Sequence, residues 1–241
     1  MDAKRHTTLH TTKGARLEHA YHALKEDLLA GEFALGRRLT EDRLSHRYSV
    51  SRTPIREALA RLHAERLVER HPDGGFTPTP ADLPTARHLY ELRFALEHEA
   101  LNRPQRHGER HDRNLLSQLR DEWMSMTPLA SDDVGDPTFV LLDEDFHIRL
   151  AASAGNPELV ALLTSINDRI RPIRMHDFVS TPRIVSTIEQ HVAVVESLLA
   201  GDLSLTHSLI DAHFAESLAE VETRAAHALA RMVVRSRSDL R

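Results

Sequence analysis

The stretch from Ser49 to Leu62, SVSRTPIREALARL, constrains this chain more than any other. Ser51 or Thr53 can cap a helix, and Pro54 then falls in its first turn, where the missing N–H has no intrahelical partner to lose. Ile55, Ala58, Leu59 and Leu62 recur at i, i+3, i+4 and i+7, so one face of that helix is apolar and turned inward. Arg52 and Arg56 stand one turn apart off that face, and Arg61 lies elsewhere on the surface. A short helix with an apolar back and guanidinium groups near its N-terminal end suits a reader of the DNA major groove. Arginine bonds guanine O6 and N7 in bidentate fashion and also grips phosphate. Solvated arginines on an ordinary surface helix fit the same pattern, so the flanking sequence has to decide.

Leu17, Ala20, Tyr21, Leu24 and Leu28 form one helical stripe, with Gly31 where a stop belongs. Leu35-Gly36 marks a turn, and Thr40 caps a short helix from Glu41 to Arg47, with Leu39 and Leu44 placed as a hydrophobic staple. Tyr48-Ser49-Val50 is then the three-residue turn of a helix-turn-helix. Beyond the arginine helix, Leu67 to Arg70 and Phe76-Thr77 read as two short strands around the turn cluster Pro72-Asp73-Gly74-Gly75. The expected unit is a winged helix-turn-helix.

At 241 residues with 41% hydrophobic content, the chain is long enough for one or two cored domains. No apolar run approaches about 18 residues and the N-terminus is polar, so neither a membrane span nor a signal peptide is expected. The absence of cysteine excludes disulfides and thiolate metal sites and is compatible with a cytoplasmic location. Charge is uneven. Residues 1–80 hold 14 of the 31 basic residues and 11 of the 36 acidic ones, so the remainder is acidic on balance. Only the front of the chain can favour DNA, and its binding should weaken as salt rises.

Residues 1–14 lack apolar periodicity and read as a flexible tail, residues 15–80 as the winged unit, and residues 81–84 as a proline-punctuated linker. Residues 85–234 read as an all-α bundle, followed by a short tail over 235–241. Its helices are expected over 85–101, about 110–126, 137–154, 157–178, 183–200 and 204–234. The breaks fall at Pro104, Pro128, Gly155-Asn156-Pro157, Pro182 and Gly201-Asp202.

Three of these helices carry polar groups on the face that should be buried. Asp143 and His147 lie one turn apart among Phe139, Phe146 and Leu150. His191 sits mid-stripe between Ile188 and Val195, and His213 between Ile210 and Val221. A lone buried carboxylate is costly, whereas a carboxylate and three imidazoles converging on a cation satisfy one another. That donor set suits Zn²⁺, Ni²⁺, Mn²⁺ or Fe²⁺, with Zn²⁺ the commonest for such chemistry. With 17 histidines in the chain, hydrogen-bonded core histidines account for each stripe as well. Of Arg169, Arg171 and Arg174, one is expected to face an organic acid and two to be solvated. A hydrolytic metal centre would need a general base, and Asp145 projects away from Asp143 on the helix, so no enzyme is expected.

Two resemblances add to this reading. Residues 15–80, through Leu35-Gly36-Arg37-Arg38-Leu39-Thr40-Glu41 and Val50-Ser51-Arg52-Thr53-Pro54-Ile55-Arg56-Glu57-Ala58-Leu59, resemble the N-terminal domain of GntR-type transcription regulators. That implies DNA contacts from Arg38, Ser51, Arg52, Thr53 and Arg56 and from a wing-tip glycine, Gly74 or Gly75. Family wings often carry a cation beside that glycine, whereas Asp73 stands here. Residues 85–230 resemble the FCD effector domain of the FadR-like branch, through Glu91-Leu92-Arg93, the Asp143 to Leu150 stretch leading to Ala154-Gly155-Asn156-Pro157, and His191 and His213. The resemblance implies a divalent metal on Asp143, His147, His191 and His213, a small carboxylate effector, and an effector contact from Arg93, which could instead pair with Glu91 or Glu97. It also implies a homodimer on palindromic double-stranded operator DNA, acting as a repressor. The alternative reading makes the metal itself the signal.

Overall fold

The computed structural model describes residues 13–34, 36–80, 82–126, 136, 138–174, 178 and 180–238, with backbone only from 224 onward. The expectations for residues 1–12, Leu35, Pro128 and the last residues of the chain lie outside the described residues. The chain divides into two compact units, Met1–Pro80 and Ala81–Arg241.

In the first unit, α1 (Lys13–Leu29) packs on α3 (Arg52–Ala64), with α2 (Glu41–Tyr48) across α3. The stripe of α1 and the stripe of α3 meet: Ala20, Tyr21, Leu24, Ile55, Leu59 and Leu62 are all buried in one cluster. Each fully buried Leu or Ile contributes roughly 1.5–3 kcal/mol, which fixes the face that α3 turns inward and therefore the face it presents outward. Thr40 caps α2 by accepting from the Arg43 N–H, and Leu39 and Leu44 are both buried beside it. Ser49 closes α2 in the left-handed conformation, so the turn into α3 is tight. Strands β1 (Val68–Arg70) and β2 (Phe76–Pro78) pair antiparallel, Glu69 opposite Thr77. Leu39 bridges to Phe76, which ties the wing back to the residue before α2.

Ser51 takes the extended N-cap conformation ahead of α3, yet its hydroxyl makes no capping bond. The cap expected of Ser51 is therefore one of backbone shape only, and the hydroxyl remains exposed beside the helix start.

The second unit consists of α4 (Leu83–Arg106), α5 (Arg113–Ser125), α6 (Phe139–Ala152), α7 (Pro157–Arg174), α8 (Thr181–Ala200) and α9 (Leu203–Ser238). Helix α8 packs between α5 and α9, and α4 packs on α7 and α9, with α6 against α7. The core holds Leu89, Tyr90, Trp123, Phe146, Ile170, Val195 and Ile210. Several expected boundaries move. Asp82 caps α4 through the Thr85 N–H, so Pro84 belongs to the first turn of that helix rather than to a linker. Pro104 does not break α4, which runs on to Arg106. Pro104 falls in the last turn, where it is buried, and its own carbonyl accepts from the Glu109 N–H at 2.7 Å as the chain leaves. Helix α7 is described as far as Arg174, and Phe178, the expected end, is not helical. No helix among the described residues is long and apolar enough to cross a membrane.

Candidate functional site

Two sets of residues carry chemistry, one in each unit. In the first, the outward face of α3 begins with Ser51, Arg52, Thr53 and Arg56, all exposed. Arg52 meets Asp42 through Nη2 at 2.6 Å, and Arg56 donates Nε and Nη2 to the two carboxylate oxygens of Glu41 at 2.7 and 2.8 Å. The Arg56 bonds hold the Glu41 carboxyl below the usual carboxylate range. Gly74 and Gly75 form the wing tip, both at φ +83. A Cβ at Gly75 would meet the Leu39 carbonyl oxygen at 2.8 Å, whereas at Gly74 the nearest atom would be Arg38 Nη2 at 3.6 Å. The exposed Arg38 thus lies against the wing tip, and the sequence stretches before α2 and between the strands form one surface. Asp73 is exposed at the same tip and reaches His71 rather than a basic partner, its carboxylate 3.9 Å from the ring.

In the second unit the core encloses a polar centre. Asp143 and His147 come from α6, His191 from α8 and His213 from α9, and one ligand atom of each lies within 4.8 Å of the others. All four are buried, at 2% exposure or less. The His147 and His213 Nε2 atoms are 3.2 Å apart, and the His191 and His213 Nε2 atoms 3.4 Å apart. Asp143 Oδ1 stands 3.6 Å from His191 Nε2 and 4.0 Å from His213 Nε2, with Oδ2 3.8 Å from His147 Nε2. Ligands about 2.1 Å from a common ion would stand roughly 3.0–3.4 Å from one another, which the imidazole pairs match while the Asp143 oxygens stand further off, at 3.6 to 4.0 Å.

The surrounding bonds fix which nitrogen faces inward. Glu97 on α4 accepts His147 Nδ1–H at 2.5 Å through Oε2 and Arg93 Nε–H at 2.9 Å through Oε1. Gln190 commits its amide nitrogen to Glu216 and Ser186, so its oxygen accepts His213 Nδ1–H at 2.8 Å. Both imidazoles therefore carry their protons outward and point Nε2 lone pairs at each other, which is repulsive unless a cation or proton lies between them. Asp143 Oδ1 is buried and accepts no hydrogen bond among the described residues. His191 is stacked on Phe146, centroids 3.7 Å apart, and meets Trp123 edge-on at 4.4 Å, which holds its ring in plane. The donor set, its spacing and the orphaned carboxylate oxygen all fit a divalent cation.

Electrostatics favour the forms of three of these side chains that can ligate a metal, neutral imidazoles and an ionised carboxylate. Burial favours the neutral form of His191 and His213 and pushes both well below the ordinary histidine value, helped by the neighbouring imidazoles. Burial alone would raise the Asp143 carboxyl, but Arg174 first and then His147, His191 and Arg93 hold it well below the carboxylate range. Burial would also raise Glu97, and His147 and Arg93 outweigh it.

Arg93 is buried and bound to Glu97, with Nη2 3.7 Å from Asp143 Oδ2, so it both pairs within α4 and borders the centre. Arg174 is buried and donates Nη2 to Asp143 at 2.6 Å. Two of the three α7 arginines were expected to be solvated. Arg171 instead pairs with Glu144 and Asp168 and is only 19% exposed, because the α6–α7 contact encloses it. Sequence reading missed Gln190 and the anchoring part of Glu97 and Arg174. The spacing of Glu97 four residues after Arg93 was legible, while the approach of α4 and α7 to α6 was not.

Known proteins match both units. The gntR family of bacterial regulatory proteins covers residues 16–77 and the FCD domain residues 88–216. The Nta operon transcriptional regulator of Aminobacter aminovorans is 36% identical over 168 residues, 70% of this chain and 76% of that protein. The HTH-type transcriptional regulator BphR of Paraburkholderia xenovorans (strain LB400) is 29% identical over 214 residues, 85% of this chain and 84% of that one. Among solved structures, E. coli McbR/YncC superimposes with a TM-score of 0.69 at 17% identity, covering 87% of this chain and 98% of that one. A GntR regulator from Rhodococcus sp. RHA1 gives 0.66 at 19% identity with the same coverage. These last two share the fold, and the proteins matched at the sequence level are named as transcriptional regulators rather than enzymes. With a GntR-type winged unit in front and an FCD domain behind, this chain belongs to the gntR family of bacterial regulatory proteins and is a DNA-binding transcription regulator.

Proposed function

We propose that the helical unit is a metal-assisted sensor for a small organic acid, and that its occupancy sets the affinity of the winged unit for operator DNA. The observation that carries this reading is the buried set of Asp143 and three imidazoles, two of them locked by Glu97 and Gln190 with Nε2 lone pairs converging. Asp143, His147, His191 and His213 would hold a divalent cation, Zn²⁺ first among Zn²⁺, Ni²⁺, Mn²⁺ and Fe²⁺. A cation so held supplies Lewis acidity and open positions that a carboxylate can occupy. Arg93, already bordering Asp143, is placed to add a guanidinium to such a ligand.

On the DNA side, Arg38, Ser51, Arg52, Thr53 and Arg56 would make the groove and phosphate contacts, with Gly74 and Gly75 letting the wing approach the backbone. A single recognition helix buries a modest interface, so a homodimer on a palindromic operator is the arrangement that supplies affinity and specificity. The effector can change operator affinity only by binding two arrangements of the dimer unequally. The regulator acts as a repressor whose affinity for operator the acid changes.

Operator binding of chelated and metal-repleted protein, with and without added organic acids, tests the reading. Arg52→Ala is expected to lose operator binding and keep its metal. His191→Ala is expected to lose the metal and the response to acid while still binding operator. Stoichiometric metal in His191→Ala after chelation and repletion would remove that residue from the ligand set. A response to metal with none to any acid would replace the acid by the metal as the signal.

A further inference from the structure

Glu41 opens α2, and its carboxylate takes both Nε and Nη2 of Arg56. The next residue, Asp42, meets Arg52 Nη2 at 2.6 Å. These contacts do little for the fold. The Arg56 and Arg52 side chains are each 67% exposed, and such pairs contribute roughly 0–1 kcal/mol to stability. They also place negative charge on the surface that has to approach phosphate, which weakens attraction to DNA of any sequence.

The Glu41 contact has a different use, visible in its stereochemistry. A guanidinium presents five N–H bonds in one plane, one at Nε and two at each Nη. Glu41 engages the side edge of that fork, leaving the end edge of Nη1 and Nη2 engaged by no described residue. An edge of that kind spans the O6 and N7 acceptors of guanine in the major groove.

We propose that Glu41 is a specificity-determining positioning residue: by gripping the side edge of Arg56 it aims the end edge at a guanine and denies Arg56 a sequence-blind contact with phosphate. This rests on α3 being the reading helix. Glu41 is suited to the part because it is the first residue of α2, where the helix dipole favours a carboxylate and the Arg56 bonds keep it ionised.

The test uses the full-length protein and an operator duplex recovered from random DNA by selection with the unmodified chain. Affinities for every single-base substitution of that duplex are measured for the unmodified protein and for Arg56→Lys, Glu41→Gln, Glu41→Asp and the Arg56→Lys/Glu41→Gln double variant. Lysine keeps the charge but cannot make the bidentate bond, so Arg56→Lys flattens preference at one position and identifies the guanine. At that position the unmodified protein should discriminate roughly ten- to a hundredfold. Glu41→Gln is expected to reduce this to under about threefold, leave other positions unchanged, and steepen the salt dependence by about one phosphate contact. Glu41→Asp, which keeps the charge but not the reach, should lose discrimination at the same position. In the Arg56→Lys background Glu41→Gln should change that position no further. Full discrimination retained by folded Glu41→Gln and Glu41→Asp would overturn the proposal. If Arg56→Lys altered no position, the placement of Arg56 in the groove would fail first, and the proposal with it.

Discussion

At the scale of single residues, the helical unit is organised by tautomers. Glu97 and Gln190 each accept the outward Nδ1–H of an imidazole, and that alone turns two Nε2 lone pairs to one point. Partners of this kind typically change metal affinity 10- to 100-fold. Glu97→Gln should therefore weaken Zn²⁺ binding by about that factor without abolishing it, as competition with a chromophoric chelator would measure. The buried imidazoles also set a pH dependence. His191 and His213 are held well below the ordinary histidine value, so under about pH 6.5 the unfolded chain binds more protons than the folded one. Metal-free protein should lose stability as pH falls through that value. Asp143 and Glu97 have lowered values, so their contribution disappears only below the carboxylate range and does not interfere above pH 5. Trp123, the single tryptophan, lies against His191 and reports the melting of this unit by fluorescence. A melting temperature flat between pH 7.5 and 5.5 would contradict the burial of neutral imidazoles. The four polar residues were legible in the sequence because each interrupts an apolar stripe. Their partners were not, since Glu97, Gln190 and Arg174 meet them only through the packing of other helices.

Among the elements, α3 was the most legible, because its stripe, its proline and its arginines all specify the same helix and the same outward face. The wing shows what periodicity leaves out. Gly74-Gly75 reads simply as a turn, whereas the structure distinguishes the two glycines. A side chain at Gly75 would collide with the Leu39 carbonyl, which itself bonds the Phe76 N–H at 3.1 Å, while Gly74 has room. Gly75→Ala should displace the wing and weaken operator binding several-fold more than Gly74→Ala, for which only the positive φ is unfavourable. Equal losses in an anisotropy titration would show that backbone strain, not the approach to Leu39, governs the tip. Pro104 carried the opposite lesson. Helix α4 continues past it to Arg106 although the proline nitrogen cannot donate to the Ala100 carbonyl one turn back, and no sequence rule separates that position from a break.

For the whole molecule, charge and chemistry divide along the chain. The basic excess lies in the winged unit and the acidic excess in the helical one, which therefore contributes nothing to phosphate attraction and is free to specialise in binding a small ligand. The metal-assisted sensor is the central claim, and ligand-induced stabilisation tests it most directly. Binding to the folded state raises the melting temperature as RT ln(1 + [L]/Kd). Metal-repleted protein and its Asp143→Ala/His147→Ala variant would be melted against hydroxy acids, dicarboxylates, sugar acids and fatty acyl compounds, following Trp123 fluorescence. The account predicts that at least one small acid stabilises the parent and that the same acid leaves the variant unmoved. Equal stabilisation of both proteins by the acid would contradict it.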